Sequence, residues 1–257
     1  GVKQVFVFPS NNEKGLPGLT SNYLLSSGTT GETLAQLEGN ELTSRRTAAA
    51  SALASVYLSN IDASKLLMVG SGRMARNLIA AHRAVRPLQQ ISVYNRNIEG
   101  AQKLVNELIA EGIDAKVCTQ EQLPNVAAQA DIISCATMSK EPIIKGEWLS
   151  AGCHLDLVGG FTPEMQEADN AALKKAKIFV DTRAGALSEA GDIIIPLIAG
   201  DIKEDDIQAE LTELCSETHL GRLEYKDPDK TITLFKSVGD SREDLAAAIL
   251  ALNFIKH

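Results

Sequence analysis

Hydrophobic and polar positions divide the chain into three regions with different periodicities. In residues 1 to about 40, apolar and polar residues alternate over the short runs 4–8, 22–25 and 33–37, with Gly and Pro between them. This alternation predicts antiparallel β-strands. Residues 41–59 are rich in alanine and predict a helix, with Thr43 or Ser44 as its N-cap.

The second region, from about residue 64 to 200, repeats an apolar strand followed by a helix. Helices are predicted to begin at Arg73, at Ile98 and after Gln120, and the strands between them are continuously apolar. Strands that are apolar on both faces are typical of a parallel sheet covered by helices. The predicted strands are 66–69, 91–94, 115–117, 131–136, 153–158 and 178–180.

The third region, residues 241–257, is amphipathic and predicts a C-terminal helix with Ser241 as its N-cap. We expect this helix to pack back on the first region. The predicted fold class is therefore α/β, with a Rossmann doubly wound parallel sheet and a smaller α+β domain built from both chain ends. The predicted divisions are 1–60, 61–236 and 237–257.

Size and charge narrow the classes of protein that this chain can represent. The chain has 257 residues, and its longest apolar runs are far shorter than the roughly 20 residues of a membrane helix. A net charge of −8 argues against nucleic acid as a partner, because phosphate binding needs a basic surface. No signal-peptide pattern is present, so we expect a cytoplasmic protein. The chain enters a strand directly at Gly1, which predicts that further residues precede it.

Cysteine and histidine spacing gives no indication of a metal site. The four cysteines form no CxxC pair, and the four histidines form no HxH or HExxH motif. Neither a zinc site nor a disulfide framework is therefore predicted.

The segment "GSGRMARN", residues 70–77, has the spacing of a dinucleotide-binding loop. It follows a predicted strand and opens a predicted helix. Gly70 would allow the tight turn, Gly72 the approach of a pyrophosphate, and Ala75 close packing of helix on strand. We expect the backbone at Gly70, Gly72, Arg73 and Met74 to bind the phosphates at the helix N-terminus. The alternative is a purely structural glycine turn.

The end of the next predicted strand indicates which dinucleotide binds. An NAD site usually carries Asp or Glu there, to bind the ribose hydroxyls, but this chain has Asn95, Arg96 and Asn97. An arginine can pair with the additional phosphate of NADP in a charge-assisted bond. NADPH is therefore the predicted cofactor, with NADH possible. Alternatively, Arg96 is a solvated residue at the start of a helix.

Five blocks of sequence together resemble one family over essentially the whole chain. They are "GVKQVFVFPSNNEKGLPGL", "ELTSRRTAAASALAS", "LDLVGGFTPEMQEAD", "VDTRAGALSEAGDI" and "TLFKSVGDSREDLAAA". Their order and content are similar to the ornithine cyclodeaminase and μ-crystallin family. The resemblance implies a homodimer in which the domain built from both chain ends serves substrate binding and dimerisation, with the Rossmann domain between.

Two basic residues in these blocks are the candidates for binding the substrate. The resemblance implies that Lys3 and Arg46 hold the carboxylate of the substrate and are catalytic residues. A lysine on a strand and an arginine in the first turn of a helix also make a reasonable carboxylate site on physical grounds, since arginine offers a bidentate fork. Taken alone, each residue is better explained as a solvated surface charge, and it is the resemblance that favours substrate binding.

Four further residues are candidates for cofactor binding. Thr137, Met138 and Val158 follow predicted strands at the carboxyl edge of the sheet, where open α/β sheets bind ligands. Ser237 lies in the block "FKSVG", which the resemblance places near the nicotinamide. A loop-forming role is the alternative for all four.

One departure from the family pattern indicates the reaction. Cyclodeaminases of the family have Asp where this chain has Phe161, and phenylalanine can neither move a proton nor position an amine. The block "FTP" followed by Glu-x-Asp resembles the branch that reduces cyclic ketimine carboxylates. Phe161 would there exclude water and pack on the substrate ring. The resemblance implies reduction of Δ1-pyrroline-2-carboxylate or Δ1-piperideine-2-carboxylate to L-proline or L-pipecolate.

Three alternative functions stay open at this point. The chain could be an ornithine cyclodeaminase or alanine dehydrogenase of the same family. It could be a crystallin-like protein that binds NADPH and a small ligand without turnover. A Rossmann oxidoreductase unrelated to imines would leave Lys3 and Arg46 unexplained.

Overall fold

The computed structural model describes residues 1–16 and 18–256, which contain eleven strands and nine α-helices. The strands are β1 (Val2–Val7), β2 (Leu19–Ser26), β3 (Thr33–Glu38), β4 (Lys65–Val69), β5 (Gln90–Tyr94), β6 (Ala115–Cys118), β7 (Ile132–Cys135), β8 (His154–Leu157), β9 (Lys177–Val180), β10 (Ile207–Glu210) and β11 (Thr233–Lys236). The helices are α1 (Gly39–Leu58), α2 (Arg73–Val85), α3 (Ile98–Ala110), α4 (Leu123–Gln129), α5 (Asn170–Lys175), α6 (Arg183–Glu189), α7 (Gly191–Ile198), α8 (Leu211–Cys215) and α9 (Ser241–Lys256).

The chain forms two compact units. The terminal unit comprises Gly1–Thr47 and Asp240–His257, and the central unit comprises Ala48–Gly239. The first division falls within α1, whereas the sequence places it after the helix, at 60/61. The second half of α1 belongs to the central unit because Ala54 and Leu58 pack with Phe179 and Phe235 there.

The terminal unit is a small α+β structure. Strands β1, β2 and β3 form an antiparallel sheet in that order, as the alternating pattern predicts. Tyr23 and Leu25 of β2 form a small core with Leu42 of α1 and Ala248 of α9. The C-terminal helix therefore packs on the first region.

Both helices of this unit are present as predicted, but both predicted N-caps are wrong. Helix α1 begins at Gly39, because the side chain of Glu38 accepts the N–H of Glu41 at 2.5 Å. Thr43 and Ser44 therefore lie within the helix. Before α9, the side chain of Asp240 accepts the N–H of Arg242 at 2.7 Å, so Asp240 and not Ser241 caps the helix.

The central unit is a doubly wound α/β fold, which confirms the predicted class. Its eight strands are all parallel and follow the order β10-β9-β11-β8-β7-β4-β5-β6. The chain winds from β4 outward to β5 and β6, then returns to the other side of β4 with β7. The carboxyl end of β4 is therefore the topological switch point, where such sheets bind ligands.

The burial of the individual strands explains which of them could be predicted from the sequence. Residues 66–69, 132–135 and 154–157 are fully buried, as expected of strands covered on both sides. Strands β10 and β11 were not predicted, since they are short and polar residues interrupt them. Among the described residues, no helix is long and apolar enough to cross a membrane.

Candidate functional site

The predicted dinucleotide loop leaves β4 at the switch point and is held in place by both neighbouring strands. The N–H of Gly70 donates to the carbonyl oxygen of Tyr94, at the end of β5, at 2.8 Å. Gly70 has a φ of +108°, and a Cβ there would lie 2.6 Å from the carbonyl oxygen of Ala136. Only glycine fits this position. Ala75, one turn into α2, is buried in the core beneath the loop.

The space beside Gly72 fits a phosphate group. A Cβ at Gly72 would meet no atom within 4 Å, and Gly72 supplies no side-chain cap to α2. The first-turn N–H groups of a helix point beyond its N-terminus and carry partial positive charge. Residues 72–74 therefore offer an anion site with backbone donors, and a dinucleotide fits the loop through its pyrophosphate.

Gly72→Ala should weaken binding of the reduced dinucleotide by about tenfold, roughly 1.4 kcal/mol. The new methyl group would enter the space that the phosphates need, while the backbone at φ −76° and ψ −171° accepts alanine without strain. Calorimetric titration and thermal unfolding measure the two effects. The control is Gly28→Ala, which also adds a methyl group into open space. Wild-type affinity in Gly72→Ala would contradict the phosphate site.

The end of β5 carries the three residues predicted to select the cofactor. The side chain of Asn97 accepts the N–H of Glu99 at 3.0 Å and caps α3. The side chain of Asn95 donates to the carbonyl oxygen of Asn97 at 3.1 Å. Both asparagines thus shape the turn, and Arg96 between them is exposed. No acidic side chain occupies 95–97.

The carboxyl ends of β7 and β8 form the next part of the same sheet edge. The backbone N–H and the hydroxyl of Thr137 both donate to Oε1 of Glu167, at 2.6 and 2.7 Å. Val158 is partly buried and its N–H donates to the carbonyl oxygen of Cys135 at 2.8 Å. Met138 is exposed. Thr137 is therefore held rigidly, whereas the side chain of Met138 is accessible to a ligand.

Three buried charged side chains, Glu167, Asp192 and Lys236, form what we term the buried charge cluster. Nζ of Lys236 lies 3.3 Å from Oδ2 of Asp192 and donates to the carbonyl oxygen of Gly159. Oδ1 of Asp192 accepts the N–H of Glu167 at 2.7 Å. The cluster thereby joins β11, the loop after β8 and the segment that fixes Thr137.

The cluster carries two carboxyl groups and one cation. Burial, followed by the neighbouring charge of Asp192, raises the pKa of Glu167 to about 8. Burial also raises the pKa of Asp192, and the charge of Lys236 opposes this effect. Because Asp192 has the lysine and two backbone N–H groups as partners, we place the retained proton on Glu167 at neutral pH. Sequence reasoning missed this cluster; its signal in the sequence is a lysine that directly follows the apolar residues Leu234 and Phe235.

Ser237 follows directly after β11 and is buried. The carboxylate of Asp181 accepts the N–H groups of Val238 and Gly239 at 2.8 and 2.6 Å, which fixes the loop after Ser237. The hydroxyl oxygen of Ser237 has no hydrogen-bond partner among the described residues. The structure therefore places Ser237 at the same carboxyl edge as Thr137.

Phe161 lies on a turn after β8 that only glycine permits. Gly160 has a φ of +62°, and a Cβ there would lie 2.4 Å from Oδ2 of Asp192. Phe161 itself is 49% exposed. The ring is therefore available to contact a ligand.

The terminal unit brings Lys3 and Arg46 together on a pair of carboxylates. Nζ of Lys3 lies 2.6 Å from Oδ2 of Asp244. Arg46 reaches Oε2 of Glu243 at 2.8 Å through Nη1 and Oδ1 of Asp244 at 3.0 Å through Nε. Sequence reasoning predicted that the two cations converge, and it missed the two acidic side chains of α9 that they contact.

A parallel, doubly wound sheet with this glycine loop at its switch point defines an α/β protein of the Rossmann class. The chain belongs to the ornithine cyclodeaminase/mu-crystallin family, whose profile matches residues 1–255.

Relatives in this family include reductases and a dehydrogenase. The Δ(1)-pyrroline-2-carboxylate reductase of Colwellia psychrerythraea is 37% identical over 249 residues, which cover 96% of this chain and 78% of the relative. The structure of the Thermococcus litoralis Δ(1)-pyrroline-2-carboxylate reductase, in complex with NADH and L-proline, has a TM-score of 0.90 and 36% identity and covers 98% of this chain and 76% of that one. An archaeal alanine dehydrogenase dimer with bound NAD has a TM-score of 0.89 and 31% identity, covering 98% and 76%.

Proposed function

We propose that the protein is a nicotinamide-dependent oxidoreductase that reduces Δ1-pyrroline-2-carboxylate to L-proline. Reduction of Δ1-piperideine-2-carboxylate to L-pipecolate is proposed as a second activity, and NADPH as the preferred reductant with NADH also accepted. The observation that carries the proposal is the convergence of Lys3 and Arg46 in the terminal unit, where the carboxylates of Asp244 and Glu243 accompany them. Cations and carboxylates at one position are suited to a substrate that carries both a carboxylate and a protonated imine nitrogen. The similarity to the Colwellia and Thermococcus reductases supports the same substrate class.

The proposed mechanism needs little chemistry from the side chains. A reduced dinucleotide held by the loop at Gly70, Gly72, Arg73 and Met74 would supply a hydride to the imine carbon. Lys3 and Arg46 hold the substrate carboxylate and so fix the orientation of the ring, which can supply much of the rate enhancement. Phe161 would cover the ring and exclude water. Thr137, Val158 and Ser237 would support the cofactor at the carboxyl edge of the central sheet.

Phe161 distinguishes this proposal from deamination. A cyclodeaminase needs a group that moves protons and positions the attacking amine, and a benzyl side chain provides neither. Reduction of a cyclic imine has no such requirement. The alanine dehydrogenase similarity makes oxidation of L-alanine the second candidate, because that reaction also passes hydride between a nicotinamide and the carbon of an imino acid.

A spectrophotometric assay tests the function directly. The loss of NADPH or NADH is followed with Δ1-pyrroline-2-carboxylate and with Δ1-piperideine-2-carboxylate. Parallel samples measure ammonia release from L-ornithine and pyruvate formation from L-alanine with oxidised cofactor. The proposal expects turnover of the cyclic imines to exceed both other reactions. Cofactor binding without turnover of any of these substrates would favour a crystallin-like binding protein instead.

Arg96→Ala should lower kcat/KM for NADPH by about tenfold and leave kcat/KM for NADH within about twofold. The variant removes a charge-assisted contact to the phosphate that distinguishes the two cofactors, worth roughly 1.4 kcal/mol at an exposed site. Steady-state kinetics with both cofactors measure the ratio. Arg83→Ala, an exposed arginine in the last turn of α2, is the control. A cofactor ratio that changes equally in both variants would contradict the role of Arg96.

The proposal includes a homodimer. Val5 and Val7 are exposed on one face of β1, and Val2 and Phe6 are exposed on the other. Exposed apolar side chains of this kind are typical of a subunit interface. The alanine dehydrogenase of similar structure is described as a dimer. Light scattering on the purified protein should give twice the mass of one chain, and the mass of a single chain would contradict this part of the proposal.

A further inference from the structure

Asp244 lies at the centre of the cation pair in the terminal unit. It is 4% exposed and contacts Lys3 through one carboxylate oxygen and Arg46 through the other. Tyr23, the cross-strand partner of Lys3, faces the same carboxylate, and burial followed by the charge of Asp244 raises the pKa of its hydroxyl. Lys3, Arg46 and Tyr23 come from three different elements, so the position of Asp244 is determined by its surroundings.

Two atoms of this cluster lack hydrogen bonds. Nε of Arg46 and Oδ1 of Asp244 are 3.0 Å apart, but they are misaligned, and among the described residues neither has a hydrogen-bond partner. Arg46 is 9% exposed, so both atoms are shielded from water. A buried donor and a buried acceptor with unmade bonds are costly. Since the two atoms are shielded and already face each other as an ion pair, a ligand that satisfies both must displace that contact.

The donor on Arg46 and the acceptor on Asp244 determine which chemical groups such a ligand must carry. The ligand must accept a hydrogen bond from a guanidinium and donate one to a carboxylate about 3 Å away. A cyclic imino acid has these groups on adjacent atoms, since its carboxylate is attached to the carbon next to the nitrogen. Two cations and two carboxylates, counting Glu243, give a neutral cluster, which suits a zwitterion rather than a simple anion. The side chain of Lys3 is 22% exposed and offers access from that side.

We infer that Asp244 accepts the N–H of the protonated substrate imine and is a catalytic residue of the proposed reduction, on which this inference rests. The neutral imine is a weak hydride acceptor, whereas the iminium is a strong one. A carboxylate next to the nitrogen favours the charged form and raises the pKa of the bound imine. Hydride then forms the new C–H bond, and the π pair of C=N becomes the lone pair of the amine. The amine takes its second proton from water on release.

Asp244→Asn should lower kcat with Δ1-pyrroline-2-carboxylate by about tenfold and move the alkaline limb of the kcat–pH profile down by about one pH unit. The amide keeps an acceptor oxygen but no charge, so it no longer stabilises the iminium. Binding of pyrrole-2-carboxylate, a planar analogue with a neutral N–H, should stay within about threefold of wild type. The groups that face Asp244 in this titration are Lys3, Arg46, Tyr23 and Glu243 on α9.

Two further variants and the wild-type enzyme serve as controls for this test. Glu41→Gln, which removes one negative charge from an exposed position on α1, should leave kcat and its pH profile unchanged. Asp244→Glu, which keeps the charge, should restore the wild-type alkaline limb. Wild-type kcat and pH profile in Asp244→Asn would overturn the inference, as would a parallel loss of folding and analogue binding in both Asp244 variants. Absence of turnover in the wild type would instead overturn the proposed function.

Discussion

Arg46→Lys should lower kcat/KM for Δ1-pyrroline-2-carboxylate by about 100-fold while the protein stays folded. Lysine keeps the positive charge that Glu243 and Asp244 require. It loses the planar fork, however, and with it the donor at Nε that has no hydrogen-bond partner within the described part of the chain. Loss of a charge-assisted guanidinium contact to the substrate corresponds to roughly 2–3 kcal/mol of transition-state stabilisation.

The adjacent residue provides a matched control. Arg45 is 74% exposed on its side chain and pairs with Glu41 of its own helix, so Arg45→Lys makes the same chemical change one position away. Steady-state kinetics should show a loss of activity in Arg46→Lys but not in Arg45→Lys. Thermal unfolding should show similar stability for the two variants. Equal activity of the two variants would contradict the assignment of Arg46 to the substrate carboxylate.

Lys236→Met should lower the free energy of unfolding by about 3–5 kcal/mol, the cost of leaving a buried charge without its partner. Lys236 is fully buried, and the substitution leaves Asp192 and Glu167 without a cation. Methionine fills a similar volume, so the effect reports on charge rather than on a cavity. Loss of the bond to the carbonyl oxygen of Gly159 should also loosen the turn that carries Phe161.

Urea unfolding measures the loss of stability in Lys236→Met, and a variant of an exposed ion pair provides the comparison. Lys174 is 57% exposed and lies 3.1 Å from Asp201, so Lys174→Met should change the stability by less than about 1 kcal/mol. A similar small loss in Lys236→Met would show that the buried charge cluster does not hold the central sheet edge together.

Local sequence patterns predicted most elements of the fold. Strands β1 to β9 and the start of α2 at Arg73 followed from alternation, apolar runs and the glycine loop, all of which act within a few residues. The order of the strands did not follow, because it depends on packing between distant segments. The two wrong helix caps have a local cause: Glu38 and Asp240, which precede the predicted caps, reach the first free N–H groups themselves.

The residues of the candidate site likewise include some that the sequence indicated and others that it did not. Gly70 and Gly72 were identified because their backbone requirements appear directly in the sequence, and Lys3 and Arg46 because of the family resemblance. Glu167, Asp192 and Lys236 are separated by up to about 70 positions, and nothing local indicates that they meet. Asp244 was interpreted only as the residue three positions after the predicted N-cap Ser241, a position where a carboxylate is ordinarily explained by helix capping.

Transfer of deuterium from C4-deuterated NADPH or NADH to Δ1-pyrroline-2-carboxylate tests the central claim most directly. If the protein reduces the imine, mass spectrometry should show L-proline that carries one deuterium at its α-carbon, and the Arg46→Lys sample should show far less. No proline above the enzyme-free background, or proline without the label, would contradict the proposed function.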